Sequence, residues 1–555
     1  MTRLRRLLIV FVLTAAFMAA VIVFVSTPPR PLRTTAASDP FGHVLRGAFH
    51  IHTVQSDGAL TREAIALAAS RAGLHFAVFT DHGDGTRAAN PPEYLHGVLC
   101  IDGVEVSTNQ GHYVALGLAA APYPLGGDAD AVAEDVVRLG GFGIAAHPFS
   151  PRGELAWSDW NVPIDGIEWL NADTQWRDES RSALTRALLG YLTRPGGALA
   201  SLLDRPEAAL AKLDELAARR HVVAVAGHDA HGGLGQETGA RGRRLHVPSY
   251  ESAFRTFSVN VQVNEALKGK AVEDAGAVLE AIRRGRVFTA VDAIASPAAL
   301  DFRATDGPAT AMAGDVLADN GHEVGFIARA AMPAGAAVVL LHDGTVVRDS
   351  SSSTLEYSTR SPGSYRVEVR IPGAPGTPPV PWIVSSPIFR FAGAPTEPSP
   401  APAPAVLVRT ISAEQWHLEK GGGTTAAFSL SNAGATLTYR LGTNPSPYAA
   451  LAADLASEPG GFSHVVFKGR ASKPMRISTQ LRFSADGATR WRRPVYLDSS
   501  QSSLSLDVSA FRAADRPGKM PDTNRASSVL FVIDTTNANP GDEGSFTIQG
   551  VELRR

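Results

Sequence analysis

Residues 47–53 read Gly-Ala-Phe-His-Ile-His-Thr, and Ser56-Asp57-Gly58 follows shortly after them. The apolar residues before the two histidines are typical of a buried strand. Because residues i and i+2 of a strand point to the same side, we expect His50 and His52 to reach one metal ion together. Two neutral imidazoles suit zinc, iron or manganese. An H-x-H pair alone is not specific, so its interpretation depends on the rest of the chain.

Four more elements of this kind follow, each at the end of a predicted apolar strand. They are Thr80-Asp81-His82, Gly103-Val104-Glu105-Val106-Ser107 with Gly111-His112, His147-Pro148, and Gly227-His228-Asp229-Ala230-His231. A lone histidine at a strand end is more often a surface residue or a hydrogen-bonded core residue. Five such elements, all with hard or borderline ligands, are not expected to arise independently. The sequence therefore predicts one metal-binding cluster.

Short apolar strands alternate with amphipathic helices through the same half of the chain. The predicted strands are 47–53, 75–80, 97–107, 112–118, 142–146, 166–170 and 222–226. The predicted helices include 61–72, 129–139 and 207–220. Repeated strand–helix units favour a parallel sheet, either open or closed as a barrel. The polar residues lie at strand ends, where barrel enzymes place their chemistry.

The ordered motifs resemble the PHP (polymerase and histidinol phosphatase) family of metallohydrolases over about residues 42–292, in a predicted domain 41–293. The resemblance implies a distorted (β/α)7 barrel and a site with two or three metal ions. A first metal would be held by His50, His52, Glu105 and Asp229. Glu105 would bridge to a second metal completed by His112 and His147, and a third would be held by Asp57, His82 and His231. All nine positions carry the expected ligand type.

Such a site is suited to hydrolysis. Three divalent ions carry about six positive charges against three carboxylates, so the site attracts an anion such as a phosphate group. A metal-bridging hydroxide is the expected nucleophile, because metals lower the pKa of bound water to roughly 7. Glu105 and Asp229 are the predicted catalytic residues, as metal-bridging or water-orienting groups. We expect a phosphoesterase that uses divalent Zn, Mn or Fe.

A second resemblance leaves the type of bond open. The stretches Ile167-Glu168-Trp169-Leu170-Asn171 and 381–388 (Pro-Trp-Ile-Val-Ser-Ser-Pro-Ile) are similar to a PHP subgroup that includes carbaryl and other carbamate hydrolases. The alternative is therefore a carboxylester, amide or carbamate hydrolase with the same metals. Either enzyme would act on a small-molecule or polymer-linked ester.

Three residues are predicted to bind substrate. Arg152, after His147-Pro148, could meet a phosphate oxygen or could be an ordinary solvated arginine. Glu168 and Asn171 end a predicted strand on the catalytic side and could contact either the substrate or the metal ligands. His228 and Asp81 neighbour predicted ligands, but their parity points them away from the metals, which favours a supporting role.

The N-terminus predicts a membrane segment within residues 1–40. Arg3, Arg5 and Arg6 precede an uncharged apolar run of 19 residues, 7–25, which is long enough to span a bilayer as a helix. The basic flank places the start in the cytoplasm and the body in the periplasm or outside the cell. An uncleaved signal anchor is favoured, because the nearest small-residue site is the distant Thr35-Ala36-Ala37. Cleavage and secretion is the alternative.

The downstream half is predicted to be β-rich. We expect a β-sandwich at 294–392, a Pro-rich linker at 393–405 and a jelly-roll-like sandwich at 406–555, whose longest helical segment is 448–456. Trp382, Trp416 and Trp491 could stack on sugars or lie in the core. A cell-surface glycan is therefore a possible partner, and a non-catalytic glycan-binding protein is the alternative of another class.

Bulk properties agree with this organisation. The 555 residues predict two to four domains, and 44% hydrophobic with 19% charged residues is a globular composition. A net charge of -2 gives no indication of a nucleic-acid partner. The single cysteine, Cys100, excludes an intramolecular disulfide and lies in an apolar stretch, where a buried and inert thiol is expected.

Overall fold

A computed structural model describes residues 2–34, 42–233, 247–391, 406–455, 460–483, 490–513 and 519–555. The chain forms two compact units. The first comprises Met1–Gly83, Ala89–Ala119 and Val136–Thr396, and the second Asp84–Ala88, Ala120–Asp135 and Glu397–Arg555. The predicted linker 393–405 and the predicted cleavage site at 35–37 lie outside the described residues.

The described residues contain nine α-helices. They are α1 (Thr2–Ser26), α2 (Arg62–Arg71), α3 (Ala129–Arg138), α4 (Ala172–Arg177), α5 (Arg181–Tyr191), α6 (Pro195–Ala200), α7 (Glu207–Ala217), α8 (Tyr250–Phe254) and α9 (Ala271–Arg283).

The strands of the first unit fall into two groups. The first group is β1 (Leu32–Arg33), β2 (His43–Ile51), β3 (Phe76–Phe79), β4 (Glu93–Leu95), β5 (Val98–Thr108), β6 (Gly111–Leu116), β7 (Phe142–Ala145), β8 (Gly166–Asn171), β9 (Val223–Gly227), β10 (Ser258–Val263) and β11 (Val287–Ala290). The second group is β12 (Ala295–Ser296), β13 (Leu300–Asp306), β14 (Ala309–Met312), β15 (Val316–Ala318), β16 (Val324–Ala330), β17 (Ala337–His342), β18 (Thr345–Ser350), β19 (Thr354–Thr359), β20 (Gly363–Arg370), β21 (Ile383–Ser385) and β22 (Ile388–Phe391).

The strands that carry the polar motifs are neighbours in one sheet, in the order β2-β3-β5-β6-β7-β8-β9. The pairs β2/β3, β3/β5, β7/β8 and β8/β9 are parallel, as predicted. Strand β6 is antiparallel to both of its neighbours, which differs from the predicted parallel sheet. The reason is that only Asn109 and Gln110 connect β5 to β6, and a connection this short permits only a hairpin.

Backbone hydrogen bonds join the end of this strand series to its beginning. The His228 amide donates to the Phe49 carbonyl at 2.8 Å, and the His52 amide donates to the Ala230 carbonyl at 3.1 Å. A parallel bridge between Ile51 and Ala230 lies between them. These bonds favour the predicted seven-stranded barrel, whose closure stays a prediction.

The predicted helix and strand boundaries agree with the structure to within a few residues. Helix 207–220, for example, is found as α7, which ends three residues earlier. Side chains of the α2 and α8 region and of β2, β3 and β5 form a buried core, which includes Ile51, Phe79 and Cys100. Burial raises the pKa of the Cys100 thiol to about 11, so the predicted inert thiol is confirmed as buried and protonated.

Helix α1 contains an apolar stretch, Leu7–Ser26, with a mean hydropathy of 3.0 and no part buried against the protein. By length and composition alone this stretch could cross a membrane, and a signal sequence would pass the same test. The chain then folds onto the body, where β1 pairs in parallel with β12.

The region predicted as a separate sandwich shares a sheet with the strand series. Strand β21 pairs with both β11 and β20, so one mixed sheet continues past residue 293. A four-stranded antiparallel sheet, in the order β14-β13-β16-β19, accompanies it. Trp382 is fully buried and donates from its indole nitrogen to the Ala295 carbonyl, which is a core role and not a sugar-binding one. The boundary predicted at 293/294 stays a prediction.

The second unit contains two antiparallel sheets. Their strands are β23 (Leu407–Thr410), β24 (Trp416–Gly421), β25 (Thr425–Ser431), β26 (Gly434–Arg440), β27 (Tyr448–Asp454), β28 (His464–Ala471), β29 (Met475–Phe483), β30 (Arg490–Leu497), β31 (Ser502–Asp507), β32 (Ala526–Asp534) and β33 (Glu543–Arg554). One sheet has the order β25-β26-β33-β28-β31, with β23 beside β33, and the other β24-β27-β32-β29-β30.

Both sheets contribute to one hydrophobic core, as in a β-sandwich. Trp491 is buried in this core, and Trp416 packs against it. The predicted helical segment 448–456 is wrong, because Tyr448–Asp454 is strand β27. Its alanines alternate between the core and the opposite face of the sheet, and this tertiary packing overrides their helix propensity.

Candidate metal centre

Most of the predicted ligands lie at or just beyond the end of a strand, while Glu105 lies within β5, His112 near the start of β6 and Asp57 in the loop after β2. His50 and His52 lie at the end of β2, His82 follows β3, and His147 follows β7. Glu105 and His112 belong to the β5–β6 hairpin, in which His112 pairs with Ser107, two residues after Glu105, while Asp229 and His231 follow β9. Neighbouring strands thus deliver side chains that are far apart in sequence to one place.

Glu105 is at the centre of this cluster and is 1% exposed. Its Oε1 lies 2.8 Å from His112 Nδ1 and 2.9 Å from His147 Nε2. Its Oε2 lies 3.2 Å from each of three further nitrogens, His50 Nε2, His52 Nε2 and His82 Nδ1. One carboxylate therefore faces five imidazoles, which is the arrangement that a bridging ligand requires.

Two further carboxylates complete the cluster. Asp229 Oδ1 lies 3.6 Å from His50 Nε2 and 3.4 Å from His52 Nε2. Asp57 Oδ2 lies 3.3 Å from His231 Nε2.

The grouping of donor atoms fits divalent metal ions. Four overlapping groups have ligand atoms within 4.8 Å of one another, and together they contain all nine predicted ligands: His52/Asp57/His82/His231, His50/His52/Asp229, His50/Glu105/His147 and His82/Glu105/His112. Four inward-facing buried atoms have no hydrogen-bond partner among the described residues: His50 Nε2, His52 Nε2, His82 Nδ1 and Glu105 Oε2. Buried polar atoms normally have partners, and imidazole with carboxylate is a donor set that zinc, manganese and iron accept.

The backbone at the cluster is strained at three ligands. His50, His147 and Asp229 have φ of 64°, 30° and 45°, in a region that residues other than glycine rarely adopt. The predicted reason for the convergence of His50 with His52, and of Asp229 with His231, is therefore wrong in detail. Strand parity does not apply, because the β2 register is irregular between Ala48 and Ile51 and β9 ends at Gly227. Strain of this kind is typical of functional sites.

The charges of the cluster are strongly coupled. Burial raises the pKa of Glu105, but the nearby imidazoles, His50 first, outweigh burial and hold the pKa well below its ordinary value. Burial lowers the pKa of His231, while its hydrogen bond to Asp57 raises it, with a net rise to about 9. The carboxylates are therefore ionised at neutral pH, as metal ligands must be.

Glu168 lies behind the ligands and is 1% exposed. Its Oε1 accepts from His50 Nδ1 at 2.7 Å, and its Oε2 accepts from the His147 amide at 2.7 Å and from Asn171 Nδ2 at 2.8 Å. Gly227 makes room for this carboxylate, because a Cβ there would lie 2.0 Å from Oε1. Both oxygens are thus committed to protein groups, which corrects the expectation that Glu168 contacts substrate.

Asn171 is also a supporting residue. Its Oδ1 accepts from the Thr174 amide and caps α4, while its Nδ2 holds Glu168. Neither it nor Glu168 lines the cavity that the described residues form in front of the cluster.

Asp81 and His228 bond to protein groups, as the expected supporting role requires, although both lie beyond the ends of their strands, where parity does not apply. Asp81 accepts from the Thr53 amide at 2.7 Å and from Ser56 Oγ at 2.6 Å, and so it holds the loop that carries Asp57. His228 bonds to the Phe257 carbonyl and to the backbone of Phe49, and burial lowers its pKa to about 4. It is neutral at pH 7 and faces away from the metal ligands.

Arg152 lines the cavity in front of the cluster, which has a volume of about 1250 Å³ and also reaches helices α4 to α6 and α8. The side chain is exposed and makes no ion pair within the described part of the chain. It can reach an anion in the cavity, as predicted, and its role stays a prediction.

Two supporting residues were not predicted. Ser56 Oγ lies 3.4 Å from His52 Nδ1, and its place in Ser56-Asp57-Gly58 was a signal that could have identified it. The Tyr250 hydroxyl donates to the His52 carbonyl at 2.7 Å, across 198 residues of sequence. The sequence around Tyr250 contains no pattern that predicts this contact.

Comparisons with known proteins give only distant likenesses. No family model and no curated protein matches the chain. Among solved structures, a two-domain protein from Bacteroides vulgatus described as containing a predicted PHP-like metal-dependent phosphoesterase is 13% identical, with 64% of this chain and 99% of that chain covered and a TM-score of 0.31. A protein from Bifidobacterium adolescentis, provisionally described as a metal-dependent phosphoesterase, is 16% identical, with 38% and 93% covered and a TM-score of 0.24.

A third likeness concerns a smaller part of the chain. The family 11 carbohydrate-binding module of a cellulosomal cellulase from Clostridium thermocellum is 17% identical, with 25% of this chain and 87% of that chain covered and a TM-score of 0.21. These identities and TM-scores are too low to establish a family or an activity for this chain.

Proposed function

We propose that this chain is a metal-dependent phosphoesterase whose nine His, Asp and Glu ligands bind two or three divalent ions. The observation that carries the proposal is the Glu105 carboxylate among five imidazoles, where three buried imidazole nitrogens lie 3.2 Å from Glu105 Oε2 but these four ligand atoms form no hydrogen bond among the described residues. A purely structural cluster would satisfy these atoms with hydrogen bonds, because an unpaired buried polar atom costs about 1–3 kcal/mol.

The supporting residues prepare the imidazoles for metal binding. Since Glu168 accepts the Nδ1 proton of His50, the lone pair of His50 Nε2 points inward. Since the Asp229 carbonyl lies 2.9 Å from His231 Nδ1 and accepts its proton, Nε2 of His231, beside Asp57, is the nitrogen that would bind a metal in place of a proton. These contacts select the tautomers that ligands need.

Hydrolysis at this site would require the following roles. The bound metals would supply Lewis acidity and lower the pKa of water. Glu105 and Asp229 would hold the metals at a fixed spacing, and Arg152 would bind a phosphate oxygen from the cavity side. A water oxygen forms the new bond to phosphorus, the bond from phosphorus to the ester oxygen breaks, and the leaving alkoxide takes a proton to become an alcohol.

The deciding experiment combines metal analysis with hydrolysis. The full chain should contain two or three equivalents of zinc, manganese or iron and should release p-nitrophenol from p-nitrophenyl phosphate. Replacing Glu105 by Gln should lower kcat by at least about 100-fold, because a bridging ligand loses its charge. The matched variant Glu154→Gln, at an exposed glutamate, should retain the activity.

The other outcomes separate the alternatives. Cleavage of p-nitrophenyl acetate without cleavage of the phosphate would favour the carboxylester, amide or carbamate hydrolase. A chain that stays metal-free and inactive after reconstitution with each ion would reject the metal site. Trp382 and Trp491 lie in cores, so no observation at the predicted tryptophans favours the glycan-binding alternative.

A further inference from the structure

The cavity in front of the metal cluster continues into a second part, which we call the apolar arm. Helices α5 and α6 and the turn after α6 form much of its wall through Leu184, Leu188, Leu199, Leu202 and Leu203. An arm of this composition excludes a hydrated substrate portion and gains free energy from an apolar one, at about 25 cal/mol per Å² of buried surface.

The few charges along this wall neutralise each other. On α4, Arg177 pairs with Asp173, and the Trp176 indole nitrogen donates to the same carboxylate at 3.0 Å. The wall therefore presents no unpaired charge at this point, whereas the metal cluster at the other end of the cavity would carry excess positive charge. The cavity is amphipathic along its length.

The segment that follows helix α1 lies on the other side of the same wall. Thr27 Oγ1 lies 3.1 Å from Thr193 Oγ1, and the Arg194 guanidinium donates to the Pro28 carbonyl. A Cβ at Gly190 of α5 would lie 2.6 Å from the Ser26 carbonyl oxygen, so the close packing requires a glycine there. Helix α5 thus touches the end of the apolar N-terminal helix and also lines the apolar arm.

Helix α5 also carries two exposed leucines. Leu188 is 59% exposed and Leu192 is 74% exposed, and only Leu188 of the two lines the cavity. If α1 spans a bilayer, Ser26 and Thr27 mark where the chain leaves it, and these leucines lie on the helix beside that point. Exposed leucines next to a membrane surface are suited to insertion at its interface.

We propose that the substrate is a membrane lipid whose head group is a phosphate monoester and whose hydrocarbon chain occupies the apolar arm while the head group reaches the metal cluster. This inference rests on the proposed function and names its substrate class. The amphipathic cavity matches the two parts of such a lipid, and the position of α1 beside the arm brings the cavity to the lipid surface. Hydrolysis would leave phosphate and the lipid alcohol as products.

The first test compares two alkyl phosphates that differ only in chain length. The full-length, metal-loaded protein in phosphatidylcholine vesicles is incubated with dodecyl phosphate or butyl phosphate, and the release of phosphate is measured. We expect kcat/KM to be at least about tenfold higher for dodecyl phosphate, since each buried methylene contributes about 0.8 kcal/mol. Equal values for the two esters would overturn the proposal and leave the phosphoesterase activity standing.

A pair of variants tests whether the hydrocarbon chain of the substrate lies in the apolar arm. Leu188→Glu should reduce the dodecyl-to-butyl ratio about tenfold, because a carboxylate would enter the apolar arm. Val272→Glu is the matched control, at an exposed apolar residue of α9 that does not line the cavity, and it should leave the ratio unchanged. If both substitutions reduced the dodecyl-to-butyl ratio equally, the hydrocarbon chain would not lie in the apolar arm.

A labelling experiment gives a readout that does not depend on turnover. Dodecyl phosphate with a diazirine at the end of its dodecyl group is photolysed in the presence of the full-length protein. Labelled peptides are then identified by mass spectrometry. Labels within 184–203 that excess dodecyl phosphate suppresses would support the proposal even if hydrolysis failed and the proposed function fell. Labels confined to other peptides would overturn it.

Discussion

Glu168 shows how one buried side chain can control two ligands at once. It orients the His50 ring through Nδ1 and fixes the strained backbone of His147 through the amide. Groups that orient metal ligands in this way typically contribute 10–100-fold to metal affinity or activity.

We therefore predict that Glu168→Gln weakens metal binding by about 10–100-fold while the protein stays folded. The amide keeps the shape of the carboxylate but can no longer hold the Nδ1 proton of His50 as strongly. Metal affinity measured by competition with a chelator, together with circular dichroism, checks this. Unchanged affinity would mean that Glu168 has only a structural role, and Glu154→Gln serves as the exposed control.

Most residues of the candidate site, but not all of them, could be identified from the sequence. The nine candidate ligands could be identified because their types and order follow a motif, and the structure brings all nine together. Tyr250 could not be identified, since its contact with His52 depends on the tertiary fold alone. At Glu168 the strand-end position left substrate contact and support of the ligands both open, and its hydrogen bonds to His50 and to the His147 amide favour support.

At the scale of elements, the strand ends that carry the predicted ligands are strained. His50, His147 and Asp229 end or follow three different strands with positive φ, and a bound metal would hold these strand ends together. A ligand that binds only the folded state stabilises it by about 2.7 kcal/mol at 100 times its Kd.

Removing the metals with a chelator should therefore lower the Tm of the first unit by several degrees, and adding back zinc, manganese or iron should restore it. Differential scanning calorimetry with and without chelator measures the change. The Glu105→Gln variant should respond much less to both treatments. A Tm that is independent of metal in the wild-type chain would contradict this prediction.

Helix α7 and strand β20 are joined by a buried charge network. Arg205 binds the Glu368 carboxylate through two nitrogens at 2.8 Å, and Arg366 bonds to Glu368 at 2.6 Å and to Asp214 of α7. Burial alone would raise the pKa of Glu368, but the arginines, Arg205 first, lower it to about 2. The network connects residues on both sides of the predicted domain boundary.

The lowered pKa makes the stability of this contact dependent on pH. The contribution is fully present above about pH 4.5 and is lost as the pH falls toward about 2, with a magnitude on the order of 3 kcal/mol. Glu368→Gln should lower the Tm at pH 7, and the difference from wild type should narrow over that pH range. A constant difference would contradict the assignment. Glu356→Gln, at an exposed glutamate of β19, is the control.

Elements with local signals could be predicted, whereas their partners could not. Strand β16 follows its alternating pattern, but nothing near residues 383–385 indicates that β21 would join the sheet of the metal site. The alanines of strand β27 predict a helix, because alanine favours helices in isolation. The segment forms a strand instead because it pairs with β24 and β32.

At the scale of the whole molecule, residues 26–34 belong to the folded body. Pro28 is buried, and Leu32 and Arg33 pair with Ala295 and Ser296. Cleavage at the small-residue site Thr35-Ala36-Ala37 would remove this packed segment together with the apolar helix. Retention of the helix keeps both, and this favours the signal anchor over secretion.

We therefore predict that the mature chain keeps its N-terminal helix and stays with the membrane. Intact mass should include residues 1–25, and carbonate washing should leave the protein in the membrane fraction, because an apolar stretch of 20 residues is long enough to span the bilayer core. Leu13→Lys with Phe17→Lys, which places two charges in the exposed apolar run, should reduce membrane retention. A mature chain that begins after residue 34 would contradict the anchor. Such a cleaved protein would also lack helix α1, which brings the apolar arm to a lipid surface. The membrane anchoring and the proposed lipid substrate therefore depend on the same helix.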